Sequence, residues 1–135
     1  MRVLLDTNIS LVITPYFSIY RWVYDALRDG QFELVVSTEI LDEYAELLER
    51  QYSADFAERT LLALDNFPTV IRAEPAYRFR LIEADPDDDK FTDAAIVGNA
   101  DFIVINDRHF NCLETIPFPK VELLDFAAFC DRLKE

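Results

Sequence analysis

The sequence is poor in the residues that mark linkers, disulfides and zinc sites. Its 135 residues include two Gly, six Pro, two Cys and one His. No Ser-, Gly- or Gln-rich stretch interrupts the chain, so no linker or repeat is expected. Because 51% hydrophobic content can fill one core at this length, we predict a single domain over residues 1–135.

Long apolar runs are also missing. No run approaches the ~18 residues of a membrane helix, and the segment from Met1 to Asp6 is too short and too acidic for a signal peptide. We therefore expect a cytoplasmic protein with no membrane segment. Cys112 and Cys130 lack metal-type spacing and are predicted to be buried thiols. With His109 as the single histidine, zinc is not expected.

Positive charge is scarce. Thirteen Lys and Arg residues stand against 26 Asp and Glu residues, which gives a net charge of −13. Taken alone, this balance argues against nucleic acid, because phosphate neutralisation supplies much of a binder's affinity. The balance fits a nucleic-acid partner only if some acids bind metal or if the cations cluster on one rim. The cations considered as phosphate contacts are Arg21, Arg28, Lys90 and Arg108.

Short apolar runs alternate with segments of helical periodicity. The runs at residues 3–5, 34–36, 102–105 and 121–124 are predicted strands, with a weaker one at 69–72. The first three are apolar throughout, as in strands covered on both faces. Apolar stripes predict helices around residues 20–27, 40–48, 56–64, 91–98 and 126–133. This alternation predicts an α/β fold with a parallel sheet between helices.

Carboxylates follow the predicted strands, where a parallel sheet places its functional cleft. Asp6, Asp107 and Asp125 come after the first, third and fourth runs, and Ser37 after the second is expected to cap a helix. For Asp6 and Asp107 a turn or cap role is an equal alternative. The predicted helix that follows Ser37 carries Glu43 at the flank of its apolar stripe, about 100° from the centre of the stripe. Its other acids lie on the solvated side: Glu39, Asp42, Glu46 and Glu49.

The segment from Asp85 to Lys90 contains four acids in five positions. Acids favour a helix start, but four together repel one another unless a cation or solvent relieves them. Asp93 shares a helical face with Asp89, and spacing alone does not identify the metal ligand among these acids. Clustered carboxylates select Mg²⁺, Mn²⁺ or Ca²⁺ and suit phosphodiester hydrolysis.

Four motifs in order resemble the PIN-domain family, and within it the VapC-like toxin components of toxin–antitoxin systems. These motifs occupy residues 4–8, 32–43, 85–91 and 100–107, nearly from end to end. The resemblance implies a three-layer α/β/α sandwich and an endoribonuclease that uses Mg²⁺ or Mn²⁺. An RNA substrate, an antitoxin and a homodimer are the implied partners. Matched residue by residue, the catalytic metal ligands are Asp6, Glu43, Asp88 and Asp107, with Asp93 as a further metal ligand.

Two departures from the family pattern bear on substrate binding. Ile105 stands where relatives usually carry Thr or Ser, and residues 11–15 replace small residues. The missing hydroxyl and the acidic charge favour a second interpretation, a PIN fold that binds without cutting, although all five implied ligands are present. A third is a phosphatase with an aspartyl nucleophile, which Asn8 disfavours because such enzymes place a second Asp there.

Overall fold

The computed structural model describes residues 1–74, 89–105 and 122–135. These residues form five strands and six helices, in the following order: β1 (Arg2–Leu5), α1 (Thr7–Ile13), α2 (Arg21–Arg28), β2 (Glu33–Val36), α3 (Thr38–Gln51), α4 (Ala54–Asn66), β3 (Val70–Arg72), α5 (Asp89–Val97), β4 (Phe102–Ile105), β5 (Glu122–Asp125) and α6 (Phe126–Lys134).

The strands form one parallel sheet with the order β3-β2-β1-β4-β5, so β1 lies at its centre. Successive side chains of β1 enter two separate cores, with Val3 and Leu5 in one and Leu4 in the other. Because neighbouring side chains on a strand point to opposite faces, the two cores are the two faces of the sheet. Helices α1, α2, α3, α4 and α6 pack on the face that holds Val3 and Leu5, and α5 packs on the other, where Ile40 at the start of α3 also lies. The predicted three-layer α/β/α fold is confirmed.

The predicted strands are present, each within about a residue of its expected bounds, and so are the five predicted helices. Helix α1 was not predicted. Its buried residues are Thr7, Ile9, Leu11 and Ile13, so its buried positions alternate as they do in a strand and show no helical period. Cys130 is buried as expected, and Cys112 lies outside the described residues. No described helix is long and apolar enough to cross a bilayer.

Helix α5 ends in a close approach to the sheet at Gly98. A Cβ at this position would lie 2.7 Å from Cγ1 of Val35 and 3.1 Å from the carbonyl oxygen of Ala94. Both distances are shorter than ordinary van der Waals contacts between carbon and its neighbours. Glycine therefore lets the chain turn from α5 towards β4 while α5 stays pressed against β2.

We expect Gly98→Ala to lower the free energy of unfolding by about 1–3 kcal/mol, because overpacking forces the backbone or Val35 to move. Urea unfolding measures the loss. The same change in a Val35→Ala background should be less costly, since the clashing methyl groups are gone. Equal losses in the two backgrounds would show that the clash with Val35 does not set the requirement for glycine.

Candidate functional site

Asp6 lies at the carboxyl end of the central strand. Its backbone N–H donates to the Val104 carbonyl oxygen of β4 at 3.0 Å, and its Oδ1 accepts a hydrogen bond from the Asn8 N–H at 3.3 Å. Asp6 is therefore the N-cap of α1, which is one of the two roles left open by the sequence. The other role, binding a metal ion, is compatible with capping, because a carboxylate offers about four lone-pair positions on two oxygens.

Glu43 lies on the second turn of α3, which begins after its predicted cap. The Ser37 Oγ accepts from the Ile40 N–H at 3.2 Å, as an N-cap does. Glu43 is half-buried with its Oε2 shielded from solvent. The other acids on this helix are exposed, namely Glu39, Asp42, Glu46 and Glu49. The predicted difference between Glu43 and these four acids is confirmed.

A buried hydroxyl network holds α3 against α1 beside Glu43. The Tyr44 hydroxyl hydrogen-bonds to the Thr14 hydroxyl and donates to the Ser10 carbonyl oxygen at 3.2 Å. Burial raises the pKa of the Tyr44 phenol, so this group stays neutral and keeps its proton for donation. Because Asp6 caps α1, the network fixes the helix that begins after Asp6 against α3, the helix that carries Glu43.

Asp93 is a carboxylate inside the protein. It is only 1% exposed and lies on α5 between Thr92, which is fully buried, and a run of core alanines. Helix α5 packs against β1, which leads into Asp6, and against α3, which carries Glu43. Burying a charged carboxylate is costly unless a cation or hydrogen-bond donors compensate it. The burial therefore distinguishes Asp93 from the exposed acids of the protein and indicates that its carboxylate has a compensating role inside the structure.

The chemistry of these side chains fits a divalent metal ion. Every predicted ligand offers hard oxygen atoms, the type that Mg²⁺ and Mn²⁺ prefer. The hydroxyls of Thr7 and Thr92 are buried without a hydrogen-bond partner in the described structure, whereas buried polar groups are normally paired. Thr7 directly follows Asp6 in the sequence, and Thr92 directly precedes Asp93.

The full ligand set extends beyond the described part of the chain. Asp88 and Asp107 lie outside it, so their placement stays a prediction. Among residues 1–74, 89–105 and 122–135, no group of three or more acidic, His or Cys side chains could hold a metal ion by itself. A metal site made from the predicted ligands would therefore need Asp88 or Asp107 in addition to the described acids.

Two of the cations considered as phosphate contacts are engaged on α2. Arg21 pairs with Asp25 at 3.2 Å and donates to the Thr14 carbonyl oxygen at 2.6 Å. Arg28 pairs with Asp25 at 3.3 Å and with Asp29 at 3.1 Å. These ion pairs neutralise both guanidinium groups within their own helix region. The Lys90 side chain and Arg108 lie outside the described structure.

Glu74 is a residue that the sequence analysis missed. It stands just past β3, and its Oε1 accepts hydrogen bonds from the N–H and the hydroxyl of Thr38 at 2.8 and 2.7 Å. The contact joins the end of β3 to the first residue of α3. The position of Glu74, two residues past a predicted strand, was a signal available in the sequence, whereas its contact with Thr38 was not.

Comparison with known proteins agrees with this architecture. The chain is similar in fold to the crystal structure of VapBC2 from Rickettsia felis bound to a DNA fragment from their promoter, with a TM-score of 0.63 at 16% identity. The alignment covers 93% of this chain and 99% of that one. A search of curated proteins gave no match. The family model of the PIN domain matches residues 2–109, most of the sequence, and the chain therefore belongs to the PIN-domain family.

Proposed function

We propose that the protein is a metal-dependent endoribonuclease. The observation that carries the proposal is the burial of carboxylate oxygens of Glu43 and Asp93 on two helices that pack together, one of them against the strand leading into Asp6. Membership of the PIN-domain family supports the same activity. The proposed ligands of Mg²⁺ or Mn²⁺ are Asp6, Glu43, Asp88, Asp93 and Asp107.

The role of the protein is to hold these ligands rigidly. A bound Mg²⁺ or Mn²⁺ supplies an activated water and stabilises charge on the leaving oxygen of the phosphodiester. Asp6 is held by its backbone bond to β4 and by its place at the start of α1. The helix that carries Glu43 is fastened to α1 by the buried hydroxyl of the neighbouring Tyr44, which donates to the Ser10 carbonyl oxygen. Such fixed placement lowers the cost of orienting the reacting groups. The expected products carry a 5′-phosphate and a 3′-hydroxyl.

A second candidate function is a PIN fold that binds partners without cutting RNA. It is favoured by the net charge of −13 and by the ion pairs that occupy Arg21 and Arg28. Both features weaken attraction to phosphate. The family match gives no support to the third interpretation, the aspartyl-phosphate phosphatase.

We also propose an antitoxin partner and a homodimer. The segment between α1 and α2 exposes three large hydrophobic side chains, Tyr16, Phe17 and Ile19, with 80%, 73% and 81% of their surface accessible. Clustered exposed hydrophobic residues of this kind often mark protein interfaces. The fold shared with VapBC2 supports a toxin–antitoxin context. Light scattering across a concentration series would detect the homodimer, and co-purification with a candidate antitoxin would test that partner.

We expect the purified protein to cleave a labelled single-stranded RNA in Mn²⁺ or Mg²⁺ and to stop in EDTA, because the carboxylates alone lack the Lewis acid that would stabilise charge on the leaving oxygen. Gel analysis of the fragments and of their 5′ ends measures the reaction. Restoring Mn²⁺ after EDTA should restore cleavage, which controls for damage to the protein. Cleavage that persists in EDTA would contradict the metal mechanism. Metal binding without cleavage would favour the binding module.

A further inference from the structure

The end of β3 is placed beside the start of α3 by the sheet itself. In the parallel pairing of β2 with β3, Val36 lies opposite Arg72, and the Ala73 N–H donates to the Val36 carbonyl oxygen at 2.8 Å. Residue 74 therefore follows directly on a fixed ladder bond. Its neighbour across the ladder is the Ser37–Thr38 step at which β2 turns into α3.

The Glu74 carboxylate completes the N-terminus of α3. The Ser37 Oγ satisfies the Ile40 N–H, while Glu74 Oε1 accepts from both the N–H and the hydroxyl of Thr38. The first N–H groups of a helix lack partners within the helix, and negative charge is favoured at this end. The hydrogen bonds from Thr38 lower the pKa of Glu74, so the group is a carboxylate at neutral pH. Arg72 Nε, 3.4 Å from the same oxygen, orients it from the strand.

This contact acts on the helix that carries a predicted metal ligand. Glu43 lies five residues after Thr38, about 7.5 Å along the helix axis at 1.5 Å per residue. The two hydrogen bonds from Thr38 thus tie the helix of Glu43 to the end of β3.

We propose that Glu74 is a positioning residue of the metal site, which fixes the start of α3, and with it Glu43, against the end of β3. The inference rests on the proposed function, in that Glu43 and Asp88 are its metal ligands. Without the Glu74 acceptor, the Thr38 N–H and hydroxyl lose this partner, and the first turn of α3 loses its side-chain link to the end of β3. A metal site whose ligands are less well held binds its ion more weakly.

The test compares Glu74→Ala and Glu74→Gln with Ser53→Ala. Ser53 caps α4 through its Oγ, which accepts from the Phe56 N–H at 3.0 Å, and α4 carries no predicted ligand. We expect Glu74→Ala to weaken Mn²⁺ binding about tenfold in calorimetry. Glu74→Gln keeps an acceptor oxygen and should recover most of the affinity. Ser53→Ala should lower stability and leave Mn²⁺ affinity unchanged.

Hydrogen exchange on the metal-free protein tests the contact separately. In Glu74→Ala, amides 38–41 should exchange about tenfold faster, as expected for the loss of bonds to a charged group, while the amides of α4 keep their protection. Unchanged exchange, or wild-type Mn²⁺ affinity in Glu74→Ala, would overturn the positioning role. An equal loss of affinity in Ser53→Ala would also overturn it. Failure of the wild-type protein to bind Mn²⁺ would instead reject the proposed function, and the positioning role with it.

Discussion

Asp6→Asn should reduce RNA cleavage by at least about 100-fold without unfolding the protein. The change removes one negative charge from the proposed metal site, which supplies several kcal/mol of transition-state stabilisation, and about 1.36 kcal/mol corresponds to a factor of ten. The fold should survive because asparagine is as good an N-cap as aspartate, so the bond to the Asn8 N–H can be kept. Initial rates on labelled RNA, together with circular dichroism, measure the two effects.

The chain offers a matched control at another strand end. Asp125 follows the same pattern as Asp6, since it ends β5 and caps α6 by accepting from the Ala128 N–H at 2.8 Å. It is exposed and is not among the predicted ligands. Asp125→Asn should therefore cleave RNA at the wild-type rate. If Asp6→Asn cleaves as fast as Asp125→Asn, Asp6 is a helix cap only and the site assignment is wrong.

The second large effect concerns Asp93 and is measured as stability. A metal that binds only the folded protein raises its stability by about 2.7 kcal/mol at 100 times the dissociation constant. We expect Mn²⁺ to stabilise the wild-type protein in this way against urea, and EDTA to reverse the gain. In Asp93→Asn most of the gain should disappear, because a buried ligand has lost its charge.

An exposed aspartate on another helix provides the comparison. Asp65 lies on the solvated side of α4, and Asp65→Asn should be stabilised by Mn²⁺ as much as the wild-type protein. Full stabilisation of Asp93→Asn would place the bound metal elsewhere, for example among the many surface acids of a chain with a net charge of −13. Loss of stabilisation in both variants would indicate diffuse attraction of cations to that surface.

The sheet could be predicted because its central strands are apolar throughout. Val3, Leu4 and Leu5 are covered from both sides, which leaves a continuous run in the sequence. Glu43 could be placed by helix geometry alone, because α3 is long and its apolar stripe is regular. Helix α1 escaped the same reasoning, since seven residues give less than two full turns over which to recognise a period.

The environment of Asp93 could not be predicted from periodicity. All five residues from Phe91 to Ala95 are buried, because α5 packs against β1, β2 and β4 and also contacts α3. The helix therefore has no polar face at this point to set an acid apart from its neighbours. The contact of Glu74 with Thr38 was also beyond the sequence. It joins residues 36 positions apart, and no local pattern records which loop meets which helix start.

The pairing of β1 with β4 determines when the backbone of Asp6 gains its hydrogen-bond partner during synthesis of the protein. Residues 1–74 contain three neighbouring strands and four helices, which can associate soon after they leave the ribosome. Asp6, however, receives its backbone partner from Val104, which is synthesised much later. Contacts so distant in sequence form slowly, because closing the long intervening loop costs conformational entropy before the contact is made. The backbone of Asp6 therefore gains its partner only after residue 104 has been added, well after residues 1–74 have been made.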